Sequence, residues 1–198
     1  MPARKLPVVG VMGSGTTAEP HLAGPLGTWL ASQDCHLLCG GGGGVMSEVA
    51  RAFVEAAPAH GRQGLVIGVL PGTFPEDTVV PRGAPIPPPG YPNPYVELPI
   101  FTHLPSRGGE GHGAHSRNHI NVLSSDVIVA LPGGPGTASE VQLAMEYGKP
   151  VVLLTGKNGQ IAGLDDMAAS RMARVESVDD AIEFVSRHLL AIRHGGGT

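Results

Sequence analysis

The sequence predicts a Rossmann-like α/β protein: a single domain in which helices cover both faces of a doubly wound parallel sheet, giving three α/β/α layers. Short runs of continuous apolar residues alternate with amphipathic segments of helical period, as expected for strands that are buried on both faces. Glycine-rich turns directly follow three of these runs, at residues 13–16, 40–44 and 133–137. Because the carboxyl ends of parallel strands share one edge of a sheet, the three turns are expected to gather there.

Residues 124–154 show this pattern most clearly. The apolar run 126–131 predicts a buried strand, and glycines follow it at once. Apolar residues then recur at helical spacing within 137–147, at Val141, Ala144 and Met145. Gly148 and Pro150 end this helix, and residues 151–154 are again apolar. The order strand, turn, helix and strand is a βαβ unit.

The other elements follow from the same two patterns. Strands are predicted at 7–12, 35–39, 65–70, 95–102 and 174–176, and helices at 19–32, 45–57 and 116–123. Ser177 with Asp180 three residues later predicts the start of a last helix, which Gly195 ends. We expect residues 1–195 to form the domain and 196–198 a tail. The segment 71–115 is rich in proline and glycine and is expected to be an insert that serves as a lid or as a subunit contact.

Composition narrows the possible functions. The formal net charge is −4 and only 15 % of the residues are charged, so a basic nucleic-acid-binding surface is excluded. No apolar run approaches the roughly 20 residues of a membrane span. No signal-peptide pattern precedes the first strand, which favours a cytoplasmic protein. Cys35 and Cys39 are the only cysteines, and they are expected to be packing thiols in a reducing compartment.

The glycine-rich turns suggest a ligand that carries a phosphate. The first N–H groups of a helix lack partners within it and carry partial positive charge, which suits an anion. The first turn lacks the third glycine of a dinucleotide fingerprint, and Cys39 stands where a ribose-binding acid is expected. No turn continues as the Gly-Lys-Ser/Thr of a P-loop. A ligand with one phosphate is therefore favoured over ATP or NAD, although the glycines could instead only permit tight turns and close packing.

Three segments of the sequence resemble a known superfamily. PGGPGTASE at 132–140, with Ser116-Arg117-Asn118 upstream, resembles the PGGxGTxxE motif and preceding arginine of the LOG family, the cytokinin riboside 5'-monophosphate phosphoribohydrolases. CGGGGGVMSEVARAF at 39–53 resembles another segment of that superfamily. NPYVELPIFTHLP at 93–105 resembles a shorter branch that includes molybdenum-cofactor carrier proteins. The resemblance spans residues 8–154, and Asn118 departs from it because LOG enzymes usually have lysine there.

The resemblance implies an enzyme that cleaves the N-glycosidic bond of a nucleoside 5'-monophosphate and releases a free base and ribose 5-phosphate. It implies Arg117 and Glu140 as the catalytic pair, in which the carboxylate stabilises positive charge on the ribose and activates water. The residues implied to cradle the phosphate are Gly133, Gly134, Gly136 and Thr137, and those implied to border the ribose or base are Gly13, Ser14, Gly42, Gly43 and Gly44. No metal and no cofactor are required, and a homodimer or higher homo-oligomer is expected.

Alternatives stay open at this point. The same turns could serve a carrier or sensor that binds phosphate, a nucleotide monophosphate or molybdenum cofactor without turnover, or an oligomeric scaffold with a vestigial pocket. Thr137 and Glu140 also match a capping box, in which the carboxylate only accepts a hydrogen bond at the start of its own helix. His112, His115 and His119 have spacing that a metal could use, but a flexible loop or a lid that contacts the ligand is preferred. Glu146 is expected on the surface, off the helix face of Glu140.

Overall fold

A parallel sheet organises the structure, which is a computed structural model that describes residues 5–74, 85–165 and 169–195. In chain order its strands are β1 (Val8–Met12), β2 (His36–Cys39), β3 (Val66–Leu70), β4 (Leu98–Phe101), β5 (Val127–Ala130), β6 (Val151–Leu154) and β7 (Ala173–Val175). They lie side by side in the order β4-β3-β2-β1-β5-β6-β7, and every neighbouring pair is parallel. The chain first builds outward from β1 to β4 and then returns to add β5 on the other side of β1. This reversal is the switch point at which doubly wound sheets bind ligands.

Helices cover both faces of the sheet. They are α1 (Pro20–Ala31), α2 (Val45–His60), α3 (Asn118–Ser124), α4 (Pro135–Glu146) and α5 (Val178–Gly195), with a short 3-10 helix at Gly108–Glu110. One hydrophobic core joins the sheet to α1, α2 and α5, and a second core on the opposite face joins it to α3 and α4. The predicted three-layer α/β/α fold is therefore confirmed. Among the described residues, no helix is both long enough and apolar enough to cross a membrane.

Helix boundaries correct the sequence predictions in one place that matters for function. Helix α4 begins at Pro135, two residues before the predicted start, and Gly134 is its N-cap. Proline suits the first helical position because its φ is already helical and its missing N–H is not needed there. Thr137 therefore lies inside the helix, so the capping-box alternative for Thr137 and Glu140 is wrong. The cap predicted for α5 is confirmed, since the Asp180 N–H donates to the Ser177 hydroxyl at 3.1 Å.

The insert between β3 and α3 contributes to both the sheet and the edge above it. Its predicted strand is β4, an outer strand that pairs with β3. Before β4, the insert crosses the carboxyl edge of the sheet, where the Asn93 N–H donates to the Gly41 carbonyl at 2.8 Å. Part of the insert, residues 75–84, lies outside the described residues, as does the predicted tail at 196–198.

Candidate functional site

Three glycine-rich turns meet above β2, β1 and β5, which are neighbours at the centre of the sheet. The Ser14 N–H, in the turn after β1, donates to the Pro132 carbonyl after β5 at 3.1 Å. The Ser14 carbonyl accepts a hydrogen bond from the N–H of Val45, at the start of α2, at 2.9 Å. Backbone hydrogen bonds thus tie the middle turn to both neighbours. The expected gathering of the turns is confirmed, and it falls at the switch point of the sheet.

A cavity of about 400 Å³ opens between these turns, a volume typical of small-molecule sites. Its walls come from the turn after β1, from α2, from the insert and from the first turns of α3 and α4. The lining residues are Gly13, Ser14, Gly15, Thr16, Met46, Tyr91, Arg107, Gly108, Arg117, Asn118, Gly134, Pro135, Gly136, Thr137 and Glu140.

Most of the residues predicted from sequence line this cavity. The implied catalytic pair, Arg117 and Glu140, shares it with five of the predicted ligand-binding positions, namely Gly13, Ser14, Gly134, Gly136 and Thr137. The other four predicted positions are not among the lining residues: Gly42, Gly43, Gly44 and Gly133. The Gly133 N–H donates to the Gln160 carbonyl at 3.1 Å, so this amide is engaged within the protein.

The glycine run after β2 lets other groups approach its backbone closely. A Cβ added at Gly40 would stand 2.5 Å from Nη1 of Arg117, and one at Gly42 would stand 2.8 Å from the Tyr91 ring. Gly44 has a φ of +60°, which favours glycine, and a Cβ there would stand 2.2 Å from the Ser14 carbonyl oxygen. The absence of a side chain at each of these glycines lets a residue that lines the cavity lie close to the backbone: Arg117 at Gly40, Tyr91 at Gly42 and Ser14 at Gly44. The three glycines themselves do not line the cavity.

Arg117 is the most unusual side chain of the site. The residue is only 5 % exposed, and its Nε and Nη1 atoms are buried without a hydrogen-bond partner among the described residues. Its guanidinium lies on Gly40, and its Cζ is 5.9 Å from the centre of the Tyr91 ring. A buried cation with open donors is unfavourable unless an anion completes it. The charge of Arg117 interacts with the Glu140 carboxyl group, and because Arg117 lines the cavity, its guanidinium can also bind an anion there.

The N-terminus of α4 faces the same cavity. Gly134, its N-cap, provides no side-chain cap, and the amides of Gly136 and Thr137 lie in the first turn, where no intrahelical acceptor is available. The Thr137 hydroxyl has no partner among the described residues. These donors and Arg117 together suit a phosphate, because both the helix dipole and the guanidinium favour negative charge.

Glu140 is a buried carboxyl group beside this anion site. It is 7 % exposed, and its Oε1 accepts a hydrogen bond from Nδ2 of Asn121 at 2.8 Å. Burial raises the pKa of Glu140 above its usual 4.5, although the positive charge of Arg117 and the Asn121 hydrogen bond act in the opposite direction. The group therefore keeps its proton to higher pH than an exposed glutamate does. A buried carboxyl group with a raised pKa can act as a general acid or base.

Asn118 joins the first turns of α3 and α4. Its Nδ2 donates to the Ser139 hydroxyl at 2.8 Å, and the residue is 3 % exposed. Because LOG enzymes usually have lysine at this position, the cavity carries one cation fewer than the resemblance implied. Arg117 at the N-cap of α3 and Arg107 in the insert remain as its positively charged residues.

Comparisons with known proteins identify the family. A family model described as the SLOG cluster4 family matches residues 6–182. This chain belongs to the SLOG cluster4 family. An uncharacterized protein of Archaeoglobus fulgidus is 31 % identical to it over 152 residues, which are 76 % of this chain and 81 % of that protein.

Two solved structures resemble the SLOG cluster4 chain over nearly its whole length. The molybdenum cofactor binding protein of Rippkaea orientalis is 30 % identical, with a TM-score of 0.66, and the match covers 93 % of this chain and 98 % of that one. The molybdenum cofactor carrier protein of Chlamydomonas reinhardtii is 34 % identical, also with a TM-score of 0.66, and the match covers 94 % and 99 %. The resemblance to the branch that includes molybdenum-cofactor carriers is thereby confirmed.

The histidine-rich part of the insert is fastened outside the cavity of the SLOG cluster4 chain. In the insert, His112 Nε2 lies 2.9 Å from Oε1 of Glu146, which is on the surface as expected. On α3, His119 Nδ1 lies 2.7 Å from the Tyr147 hydroxyl. Within the described ranges, no three His, Cys, Asp or Glu side chains come together as a metal site would require. The His112 contact links the loop that carries Arg107 and Gly108 to Glu146, the last residue of α4.

The cysteines of the SLOG cluster4 chain are free and buried, in agreement with their expected role as packing thiols. Burial raises the pKa of Cys35 to about 12 and that of Cys39 to about 11. Both groups therefore remain protonated thiols near neutral pH, which makes them poor nucleophiles.

Proposed function

We propose that this protein binds a heterocycle that carries one phosphate group, of the molybdenum cofactor class, in the cavity at the switch point. The observation that carries the proposal is Arg117, whose buried guanidinium has two nitrogens without a partner and lies in one cavity with the uncapped N-terminus of α4. The Rippkaea and Chlamydomonas proteins support the choice of heterocycle.

The residues present fit such a group. Arg117 can meet two phosphate oxygens with its planar fork, and the α4 amides and the Thr137 hydroxyl can meet the third. Tyr91 and Met46 provide the less polar part of the lining, which suits a planar ring. When bound, molybdenum cofactor supplies a phosphorylated pterin and a redox-active metal. In this proposal the protein's own residues bind the group, orient it and shield it from water.

Binding of defined probes tests the proposal. We expect a pterin monophosphate to bind purified protein and raise its melting temperature, and the unphosphorylated pterin to bind at least about 10-fold more weakly, because one charge-assisted hydrogen bond is worth that factor. Calorimetry measures both affinities, and mass spectrometry of molecules retained on purification identifies the natural ligand. If no pterin phosphate, nucleoside monophosphate or inorganic phosphate binds or shifts the melting temperature, the proposal is wrong.

A second candidate function is the LOG-like hydrolysis of a nucleoside 5'-monophosphate, and Glu140 favours it. Its carboxyl group has a raised pKa and lines the same cavity as Arg117. In this reaction water attacks the anomeric carbon of the ribose, the bond to the base breaks and the base takes up a proton. Glu140 would accept the proton of the attacking water and stabilise the positive charge on the sugar.

Release of a free base decides between carrier and hydrolase. We expect an active protein to release adenine from AMP, or the base of another 5'-monophosphate, and Glu140→Gln to lower that rate by about 100-fold or more, the usual contribution of a general base. Glutamine retains the acceptor for Asn121, so the fold should persist. Glu146→Gln is the matched control, because Glu146 is an exposed glutamate on the same helix. If concentrated wild-type protein releases no base from any common 5'-monophosphate, the hydrolase candidate is wrong and the carrier proposal stands.

Assembly and location complete the proposal. We expect a homodimer or a larger homo-oligomer in the cytoplasm, with no nucleic-acid or membrane partner. Exposed apolar side chains on the outer strand β4, Leu98, Ile100 and Phe101, support self-association, and light scattering measures the mass that tests it.

A further inference from the structure

We infer that Tyr91 is the residue against which the planar ring of the ligand stacks, so that the insert decides which heterocycle the cavity accepts. The inference rests on the proposed function, since it takes the phosphate to lie at Arg117. Tyr91 belongs to neither of the motifs that resemble the LOG family, and no glycine-rich turn contains it.

The insert holds the Tyr91 segment against the turn after β2. The Asn93 N–H donates to the Gly41 carbonyl at 2.8 Å, and Asn93 Nδ2 donates to the Gly42 carbonyl, also at 2.8 Å. Asn93 is only 6 % exposed, so water competes little for these hydrogen bonds. Because two bonds to consecutive carbonyls fix the segment, Tyr91 is positioned before any ligand arrives.

Alternate glycines of the turn allow the arginine to lie over the ring of the tyrosine. The Arg117 guanidinium lies on Gly40 and the hydroxyl end of the Tyr91 ring lies on Gly42, where a Cβ would stand 2.9 Å from the hydroxyl oxygen. The Arg117 Cζ is 5.9 Å from the ring centre. A phosphate held by Arg117 therefore has an aromatic surface beside it, within reach of a ring that is joined to the phosphate by a short linker.

The chemistry of the ring suits a flat nitrogen heterocycle. Tyr91 is partly buried, it lines the cavity, and its hydroxyl has no partner among the residues that the structure describes. A tyrosine offers a π face for stacking and a hydroxyl that can bind a ring nitrogen or carbonyl at its edge. The class of ligand is thus a planar nitrogen heterocycle on a phosphate ester.

Tyr91 variants test the inference with two probes. With a pterin monophosphate, we expect Tyr91→Leu to weaken binding about 10-fold or more and Tyr91→Phe to change it less than about 3-fold, because stacking needs the ring and not the hydroxyl. With inorganic phosphate, both variants should bind within about 3-fold of wild type, since phosphate meets only the anion site. Tyr147→Leu is the control, as Tyr147 does not line the cavity. Calorimetry measures all four proteins.

Pterin fluorescence gives a second measurement that needs no folded leucine variant. Stacking on Tyr91 should quench the emission of the pterin bound to wild type, because the phenol is an electron donor, and Tyr91→Phe should bind the pterin with less quenching. Binding without quenching overturns the inference, and so does wild-type affinity in Tyr91→Leu. If Tyr91→Leu lowers the affinities for the pterin monophosphate and for inorganic phosphate equally, the inference is also wrong, and Tyr91 instead positions Arg117. If wild-type protein binds neither probe, the proposed function itself fails.

Discussion

Replacing Arg117 by methionine is expected to lower the affinity for a phosphorylated ligand by about 100-fold or more, because a bidentate contact to a charged group is worth roughly 3 kcal/mol. The ligand-free protein should nevertheless keep its stability or gain about 1–3 kcal/mol, since removing an unsatisfied buried donor removes its desolvation cost. Methionine fills a similar space without charge. Calorimetry with a pterin monophosphate measures the affinity, and denaturant unfolding measures the free energy.

Two further variants make this prediction sharper. Arg117→Lys keeps the charge but loses the fork, so its affinity should lie between those of wild type and Arg117→Met. Arg174→Met is the matched control, because Arg174 donates to Thr155 and to the Gly159 carbonyl, away from the cavity. A purely structural role for Arg117 predicts the opposite result: a loss of stability with little change in affinity.

The structure indicates how the pKa of Glu140 should change when Arg117 is lost. The positive charge of Arg117 now holds the pKa of Glu140 below the value that burial alone would give. Without that charge, the carboxyl group should take up a proton at still higher pH, which limits the cost of leaving it buried. The same coupling means that an incoming phosphate, being negative, raises the pKa of Glu140, so ligand binding should be accompanied by proton uptake.

The position of the site could be predicted from the sequence because topology alone determines it. Continuous apolar strands predict parallel pairing, and parallel pairing puts the turns of β1, β2 and β5 on one edge. Gly134, Gly136 and Thr137 line the cavity for the same reason: a turn that leads into a helix presents its first amides at that edge. Arg117 required the resemblance as well, because an arginine before a short helix carries no periodic signal.

The insert could not be predicted in this way. Tyr91, Asn93 and Arg107 lie in a segment without periodicity, and their positions depend on contacts with residues distant in the chain, such as Gly41 and Gly42. The glycine run indicated these contacts only indirectly. A glycine is needed wherever another group touches the backbone, but the sequence does not say which group does so. The resemblance implied that Gly42, Gly43 and Gly44 border the ligand, and none of the three is among the residues that line the cavity.

Gly40→Ala and Gly44→Ala are expected to affect different properties: the first should lower ligand affinity, and the second should lower stability. Comparing them distinguishes a role of the glycine run in positioning Arg117 from a role in forming the turn. At Gly40 the new Cβ meets the flexible end of Arg117, which can move aside, so affinity for a pterin monophosphate should fall by about 10-fold, the value of one charged hydrogen bond, with little loss of stability. At Gly44 it meets the Ser14 backbone at a φ of +60°. The free energy of unfolding should then fall by about 3 kcal/mol or more, because strain and overpacking add.

Two controls complete this comparison. Gly109→Ala adds a Cβ that meets nothing within 4 Å, so its free energy of unfolding should stay within about 0.5 kcal/mol of wild type. Gly43→Ala is intermediate, as its Cβ would stand 3.1 Å from the Gly15 carbonyl oxygen without a positive φ. If Gly40→Ala lowers stability as much as Gly44→Ala does and leaves affinity unchanged, the glycine run serves the turn alone. Placement of Arg117 would then depend on its helix, and Gly40 would have no part in preparing the anion site.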